Sequence, residues 1–215
     1  MPVLESCGQF TYTAHLISKT TGHIVIDMSK REAKKLEILL SGLDVMKRKG
    51  YNGTSVKDIV DAAGVPKGSF YNYFESKEGF ALDAIDYAAE KNFESCDSVL
   101  RSQKPADERV TAFFANGVLK ACECDFKVGC FLGNMCQEMA DSSDLIRVRL
   151  KRVLDRQTEM IKTALIEGGM VESDAAVRAE FLFNSWEGAL MRAKSSQSRA
   201  PLDAFMAVIP SILAH

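Results

Sequence analysis

Long apolar runs are missing from the 215 residues. No stretch approaches the ~18 consecutive apolar residues that a membrane-crossing helix needs, which excludes a helical membrane span. Histidine is scarce, with three copies at His15, His23 and His215, all near the ends. The chain therefore lacks the central imidazole on which a zinc site, a Ser/His/Asp set or a Cys/His pair would rest, and no metal is expected. No Gly-rich loop suited to cradling phosphate occurs, so no cofactor is expected either. Runs of alternating polar and apolar residues long enough for a strand are also absent. The stretch before Met28 contains no basic segment leading into an apolar one, so no secretory leader is expected. Six Cys without the spacing of a small disulfide framework point to reduced thiols and a cytoplasmic location.

What remains is ordinary globular material, 47% hydrophobic and 26% charged. The net charge of −2 is unevenly spread. Residues 28–77 carry ten Lys and Arg against six Asp and Glu, whereas residues 78–215 carry sixteen against twenty-one. A basic N-terminal part on an acidic body suits a DNA-reading head on a regulatory body, although a mixed solvated surface would show a similar imbalance.

Residues 1–28 show no helical period and read as a disordered extension. From Lys30 to Lys49, Ala33, Leu36, Leu39, Leu40, Leu43, Val45 and Met46 fall mostly three and four apart, the mark of an amphipathic helix, and Gly50 ends it. Thr54 or Ser55 can cap a second helix over 56–63, with Ser55 and Asp58 forming an approximate capping box. After Ala63-Gly64-Val65-Pro66, a short aromatic helix is expected over 67–74. Ser76 then caps a longer helix over 77–100. Further helices are expected at 106–124, 129–140, 144–167, 173–196 and 201–213, each bounded by Gly, Pro or a polar run. The fold class is all-α: a helix-turn-helix domain at 29–77 followed by a helical ligand-binding and dimerisation domain at 78–215.

The second and third helices form a helix-turn-helix, where Gly64 supplies a small residue so that the two can cross closely. Phe70 and Phe74, four apart, should be buried. Lys67, Ser69, Tyr71 and Asn72 then occupy the outer arc, where they can reach phosphates and base edges. Gly68 leaves the helix start open to a DNA backbone, and Lys77 is placed for a phosphate. Thr54, Ser55, Lys57 and Tyr73 complete the expected DNA-contacting set.

The run Thr54-Ser55-Val56-Lys57-Asp58-Ile59-Val60-Asp61-Ala62-Ala63-Gly64-Val65-Pro66-Lys67-Gly68-Ser69-Phe70-Tyr71-Asn72-Tyr73-Phe74-Glu75-Ser76-Lys77-Glu78 resembles the DNA-binding signature of the TetR family of repressors. Asn72 departs from it, since many relatives have His there. The resemblance implies a homodimer that binds a palindromic double-stranded operator and is released by a small effector. It also implies that the last two helices pair with those of a second copy. Ala179, Phe181, Leu182, Phe183, Trp186, Ala189 and Leu190 are compatible with that role, as is the repeat Leu202, Phe205, Met206, Ile209 and Leu213.

Two further segments, Gly129-Cys130-Phe131-Leu132-Gly133-Asn134-Met135-Cys136-Gln137-Glu138-Met139 and Trp186-Glu187-Gly188-Ala189-Leu190-Met191-Arg192-Ala193-Lys194, resemble a TetR branch responsive to N-ethylmaleimide-type electrophiles and to acrylate. This likeness implies that Cys130 is a sensing thiol for a reactive or unsaturated small molecule. Asn134, Trp186, Glu187, Arg192 and Lys194 are the other expected effector residues. A thiol at a helix N-terminus feels the positive end of the dipole, which favours thiolate, and Arg192 or Lys194 nearby would add to that. The plainer alternative makes Cys130 a small buried hydrophobe. Asn134 and Glu138 share a helical face that points either into a pocket or to solvent. A thiol-dependent helical enzyme using Cys130 and a protein-binding adaptor are the competing functional classes. The enzyme lacks a phosphate-cradling loop, a Ser/His/Asp or Cys/His set and a central His, and the adaptor would bind its partner without the salt dependence of DNA binding.

Overall fold

The computed structural model describes residues 29–214. The extension expected at 1–28 lies outside the described residues, as do the three histidines. Within 29–214 the chain forms nine α-helices and no strand. They are α1 (Lys30–Lys49), α2 (Val56–Ala62), α3 (Lys67–Phe70), α4 (Lys77–Leu100), α5 (Ala106–Glu123), α6 (Phe131–Met139), α7 (Asp144–Glu167), α8 (Glu172–Ser196) and α9 (Ala200–Leu213). No described helix is long and apolar enough to cross a membrane.

Local chemistry fixes the starts. Ser29 and Glu32 close a reciprocal capping box on α1, and Ser55 with Asp58 does the same on α2. Ser76 accepts from the Gly79 N–H at 2.9 Å to start α4. Gly64 ends α2 for a reason other than close crossing. A Cβ there would meet nothing within 4 Å, but the backbone sits at φ +63°, which glycine adopts without strain. Close approach is instead the business of Gly42 in α1, whose Cβ would lie 2.5 Å from Phe80 and 2.6 Å from Ile59.

Two expected helices are shorter than their sequence pattern. Regular α3 stops at Phe70, and residues 71–74 continue as a tighter turn, with Asn72 and Tyr73 N–H groups bonding three residues back to Ser69 and Phe70. α6 begins at Phe131 because Gly129 has φ +69° and Cys130 is extended as its N-cap. In α1 the buried stripe includes Ile38, which the three-and-four pattern passed over, while Ala33 is exposed.

Apolar packing gathers into two clusters. The first joins α1–α3 to the first half of α4, to α6 and to the start of α7. Phe70, Phe74 and Phe80 form its aromatic centre, with ring centroids 5.0–5.9 Å apart. The boundary expected between residues 77 and 78 therefore crosses a shared core, since Phe80 of α4 fills the head. The second cluster joins the ends of α4 and α7 to α5, α8 and α9, around Phe114, Trp186 and Phe205. α9 turns Leu202, Phe205, Ile209 and Leu213 inward to this cluster, with Met206 partly buried. The repeat read as compatible with pairing to a second copy thus serves the chain's own core.

Candidate nucleic-acid interface and sensing thiol

The head presents a compact polar arc. Phe70 and Phe74 are buried, and between them Tyr71 is 57% exposed with Asn72 exposed beside it. Lys67 and Gly68 are exposed at the start of α3, while Ser69 and Tyr73 are half-buried. A Cβ on Gly68 would touch nothing within 4 Å, so the front of α3 is open. Arg31 at the start of α1 donates to the Asn72 carbonyl at 3.1 Å and steadies this turn, a contact that the sequence pattern did not single out. On α2, Ser55 and Lys57 are exposed, the former as the cap and the latter paired with Asp61. The Lys49 ammonium, with Ser55, holds Asp58 well below the usual carboxylate range.

Two residues of the expected contact set face inward. Thr54 is buried, and its hydroxyl donates to the Gly50 carbonyl at 2.6 Å. Lys77 donates to the carbonyls of Tyr51 and Thr54, both at 3.0 Å, and its ammonium lies 4.0 Å from the Tyr51 ring centroid. Sequence alone places a lysine at a helix start near phosphate. Here two carbonyls of the α1–α2 loop claim it first: the ammonium supplies a donor to that of Thr54 and joins the Thr54 N–H already bonded to that of Tyr51.

Four of the six expected effector residues gather where α6 meets α8. Cys130 caps α6, its sulfur accepting from the Gly133 N–H at 3.4 Å. Asn134 donates to the Val128 carbonyl at 3.0 Å, which pins the turn before Cys130. Lys194 packs its stem on Gly129, with Cδ 3.1 Å from where a Cβ would stand. Glu187 brings Oε2 to 2.5 Å from the Cβ position of Gly133. Trp186 points elsewhere, buried on Phe114 and Phe205, and Arg192 is exposed.

The electrostatics of Cys130 reverse the expectation of a dipole-stabilised thiolate. Burial, and then the Glu187 carboxylate, push the thiol far above its ordinary value, outweighing the N–H groups of Gly133 and Leu132. Burial and Glu187 also raise Cys136. Glu187 is itself raised by burial, with its hydrogen bond from Cys130 acting the other way. The carboxylate lines an open cleft of about 610 Å³ between α6, α7 and α8, together with Gly133, Cys136, Asn184, Gly188 and Met191. Among the described residues, no three His, Cys, Asp or Glu side chains cluster as a metal site would require.

Glu138, at the far end of α6, lies neither in that cleft nor free in solvent. It accepts from the Asn52 N–H at 2.8 Å, in the α1–α2 loop of the head. One nine-residue helix thus carries Cys130 at one end and a grip on the head at the other.

Residues 38–84 match the family described as bacterial regulatory proteins, tetR family. Residues 106–208 match the C-terminal domain described for LmrA/YxaF-like transcriptional regulators. The chain is 34% identical over 185 residues to the HTH-type transcriptional repressor DhaR of Mycobacterium sp. strain GP1, covering 83% of this chain and 91% of that protein. It is 32% identical over 174 residues to the transcriptional regulator AcuR of Cereibacter sphaeroides, covering 78% and 80%. The solved structure of reduced NemR from E. coli superimposes with a TM-score of 0.75 at 25% identity, covering 85% of this chain and 97% of that one. A regulatory protein TetR from Rhodobacter sphaeroides superimposes with a TM-score of 0.77 at 29% identity, covering 82% and 97%.

Proposed function

The chain belongs to the TetR family of transcriptional regulators, and from that premise we propose that it is a cytoplasmic homodimeric repressor, released from a palindromic operator by a small effector at the α6–α8 junction. The observation that carries the reading is the polar arc of Lys67, Gly68, Tyr71 and Asn72, held outward by the buried Phe70, Phe74 and Phe80. An exposed tyrosine flanked by lysine and asparagine on a rigid aromatic base has the reach and donors for a major groove.

Support for the dimer lies on the outer side of α8. Val177, Phe181 and Met191 are each more than half exposed. With Asn184 and Gly188 they recur three and four apart, so all five share one face of the helix. Val208 extends the apolar surface onto α9. A monomer rarely leaves such a stripe in water, and a two-fold partner presenting the same stripe would cover it. The two heads would then stand about one helical turn apart, ~34 Å, facing successive major grooves.

The effector cleft borders this seam, because Asn184, Gly188 and Met191 line both. An electrophile or unsaturated small acid sensed through Cys130 would act on α6 and on the seam together. It must prefer the head arrangement that does not fit DNA, since only differential affinity shifts the balance.

A gel shift on the DNA upstream of the protein's own coding region tests the reading, run reduced and again after treatment with N-ethylmaleimide or acrylate, on wild type and Cys130→Ser. Binding that weakens steeply with salt, and that treatment abolishes in wild type alone, is the expected outcome. A protein that selects no sequence even from a random pool would overturn it.

A further inference from the structure

A second cleft, of about 860 Å³, lies where α5 begins and where α7 and α9 end. It shares no lining residue with the α6–α7–α8 cleft. Pro105, Ala112, Leu165, Met170, Pro210 and Leu213 supply apolar wall, and one buried cation, Arg109, sits among them. The head is remote, since the 24 residues of α4 that separate it from this end span about 36 Å.

Arg109 is 7% exposed. Its Nη1 donates to the Leu100 carbonyl at 2.5 Å and to Glu167 at 2.7 Å, which ties the end of α4 to the end of α7. Its Nε is buried, and no protein group accepts from it. Holding two helix ends together accounts for Nη1 and leaves Nε unexplained. A buried donor is nearly always matched, so the acceptor for this one is to come from outside the chain. The first turn of α5 faces the same space through Ala106, Asp107 and Glu108, and Pro105 as its N-cap offers no side-chain acceptor to their N–H groups.

The charges argue against an anion as the missing acceptor. Around the cleft two cations, Lys104 and Arg109, stand against three anions, Asp107, Glu108 and Glu167. Arg109 already has Glu167 as its counter-ion. The site therefore lacks an acceptor and not a charge. A carboxylate ligand would add to the excess of negative charge, and an ammonium would bring donors to a donor, whereas a neutral carbonyl oxygen accepts without either cost. Nε lies under the wall of the cleft, so its acceptor enters as a wall side chain swings aside. Lys104 and Met170, long and unbranched, can give way without moving a helix. Pro210 on the cleft and Val208 on the proposed seam are two residues apart, about 200° around α9, so the cleft and the seam use different sides of that helix.

We propose that this cleft is a second small-molecule site, separate from the α6–α8 junction, which takes uncharged carbonyl compounds with an apolar body (ketones, esters or amides) through a hydrogen bond from Arg109 Nε. The ligand's oxygen meets the buried donor, and its apolar part lies against Ala112, Leu165, Met170 and Leu213.

The test follows the Arg109 Nε–H itself in nitrogen–proton correlation spectra of the full-length protein, the signal being assigned by through-bond linkage to the Arg109 backbone. Acetophenone, benzoate and benzylamine serve as probes of similar size and different charge. Acetophenone is expected to move the signal downfield and saturably, to bind at least fivefold more tightly than benzoate, and benzylamine is expected to leave the signal in place. Ala112→Phe narrows the cleft and keeps Arg109. It is expected to retain the Nε–H signal and to weaken acetophenone at least fivefold, with circular dichroism showing that the variant is folded. A signal that none of the three probes moves overturns the proposal. So does benzoate binding as tightly as acetophenone, or a folded Ala112→Phe that binds acetophenone as wild type does.

Discussion

The Glu138 carboxylate accepts a hydrogen bond from the Asn52 backbone N–H at 2.8 Å, tying the last turn of α6 to the loop between α1 and α2. Gly50, at φ +74°, makes room for it, since any Cβ there would collide with the carboxylate. Lys77 holds the same loop from the other side through the carbonyls of Tyr51 and Thr54. Glu138→Ala should therefore cost about 1 kcal/mol of stability, the scale of a hydrogen bond to a partly exposed carboxylate. It should also weaken operator binding several-fold by freeing the loop. Amide exchange at Asn52, faster in the variant while the core of α4 stays protected, is the direct check.

Much of this arrangement was legible beforehand. The bounds of α1, α4 and α7 agree with the sequence pattern because Lys30, Lys77 and Asp144 follow capping serines at Ser29, Ser76 and Ser143, and a Gly or polar turn ends each helix. Phe70 and Phe74 could be assigned inward because four-residue spacing fixes a helical face. What sequence could not supply was competition between partners. Lys77 looked like a phosphate ligand until two distant carbonyls of the α1–α2 loop claimed it. Cys130 does sit at a helix N-terminus, but burial outweighs the dipole, and the carboxylate that adds to burial comes from α8, two helices further along the chain. Glu138 had a face but no visible target, since Asn52 lies in the head, far upstream.

Tyr71 and Phe70 are neighbours with opposite fates, which makes a matched pair of variants informative. Tyr71→Ala removes an exposed side chain and should leave helicity and dimerisation intact. It should lower specific operator affinity at least tenfold, within the ~1–3 kcal/mol expected of a base-reading contact. Phe70→Ala deletes a fully buried ring. That loss should cost about 3–5 kcal/mol of stability, visible as a lower urea midpoint. Fluorescence anisotropy on a fixed operator separates the two effects. Normal binding by folded Tyr71→Ala would remove Tyr71 from the interface. Asn72→His should keep the fold and shift base preference, read by selection from a random pool.

Glu187 gives the stability a pH signature of known sign. Burial raises its folded value above that of the unfolded chain, so its contribution is fully present below the unfolded value and is lost as pH climbs through the folded one. The thiols of Cys130 and Cys136 beside it are both pushed upward and neutral across that range, and Arg147, Lys151, Asp155 and Glu180 line the same cleft. Glu187→Gln should therefore melt higher than wild type at neutral pH, and the difference should shrink toward zero below the ordinary carboxylate range. Melting curves taken from acid to neutral pH decide it. A variant that loses stability equally at every pH would mean that packing, not charge, holds Glu187 in place.

The exposed stripe on α8 predicts how the two heads are joined. Phe181 stands exposed at its centre. Phe181→Glu would place two like charges across a two-fold seam. Sedimentation should then report a monomer where wild type is a dimer. Far-ultraviolet circular dichroism should change little, because Leu182, Phe183 and Trp186 on the inner side of α8 keep the chain's own core. Operator affinity should fall by roughly 10²-fold or more, since each head would bind alone and lose the effective concentration that linkage supplies. Val208→Glu on α9 should act in the same direction if the stripe continues there, whereas Leu119→Glu, an equally exposed apolar position on α5, should leave the dimer whole. A dimer that persists in Phe181→Glu would move the seam to another face of the body.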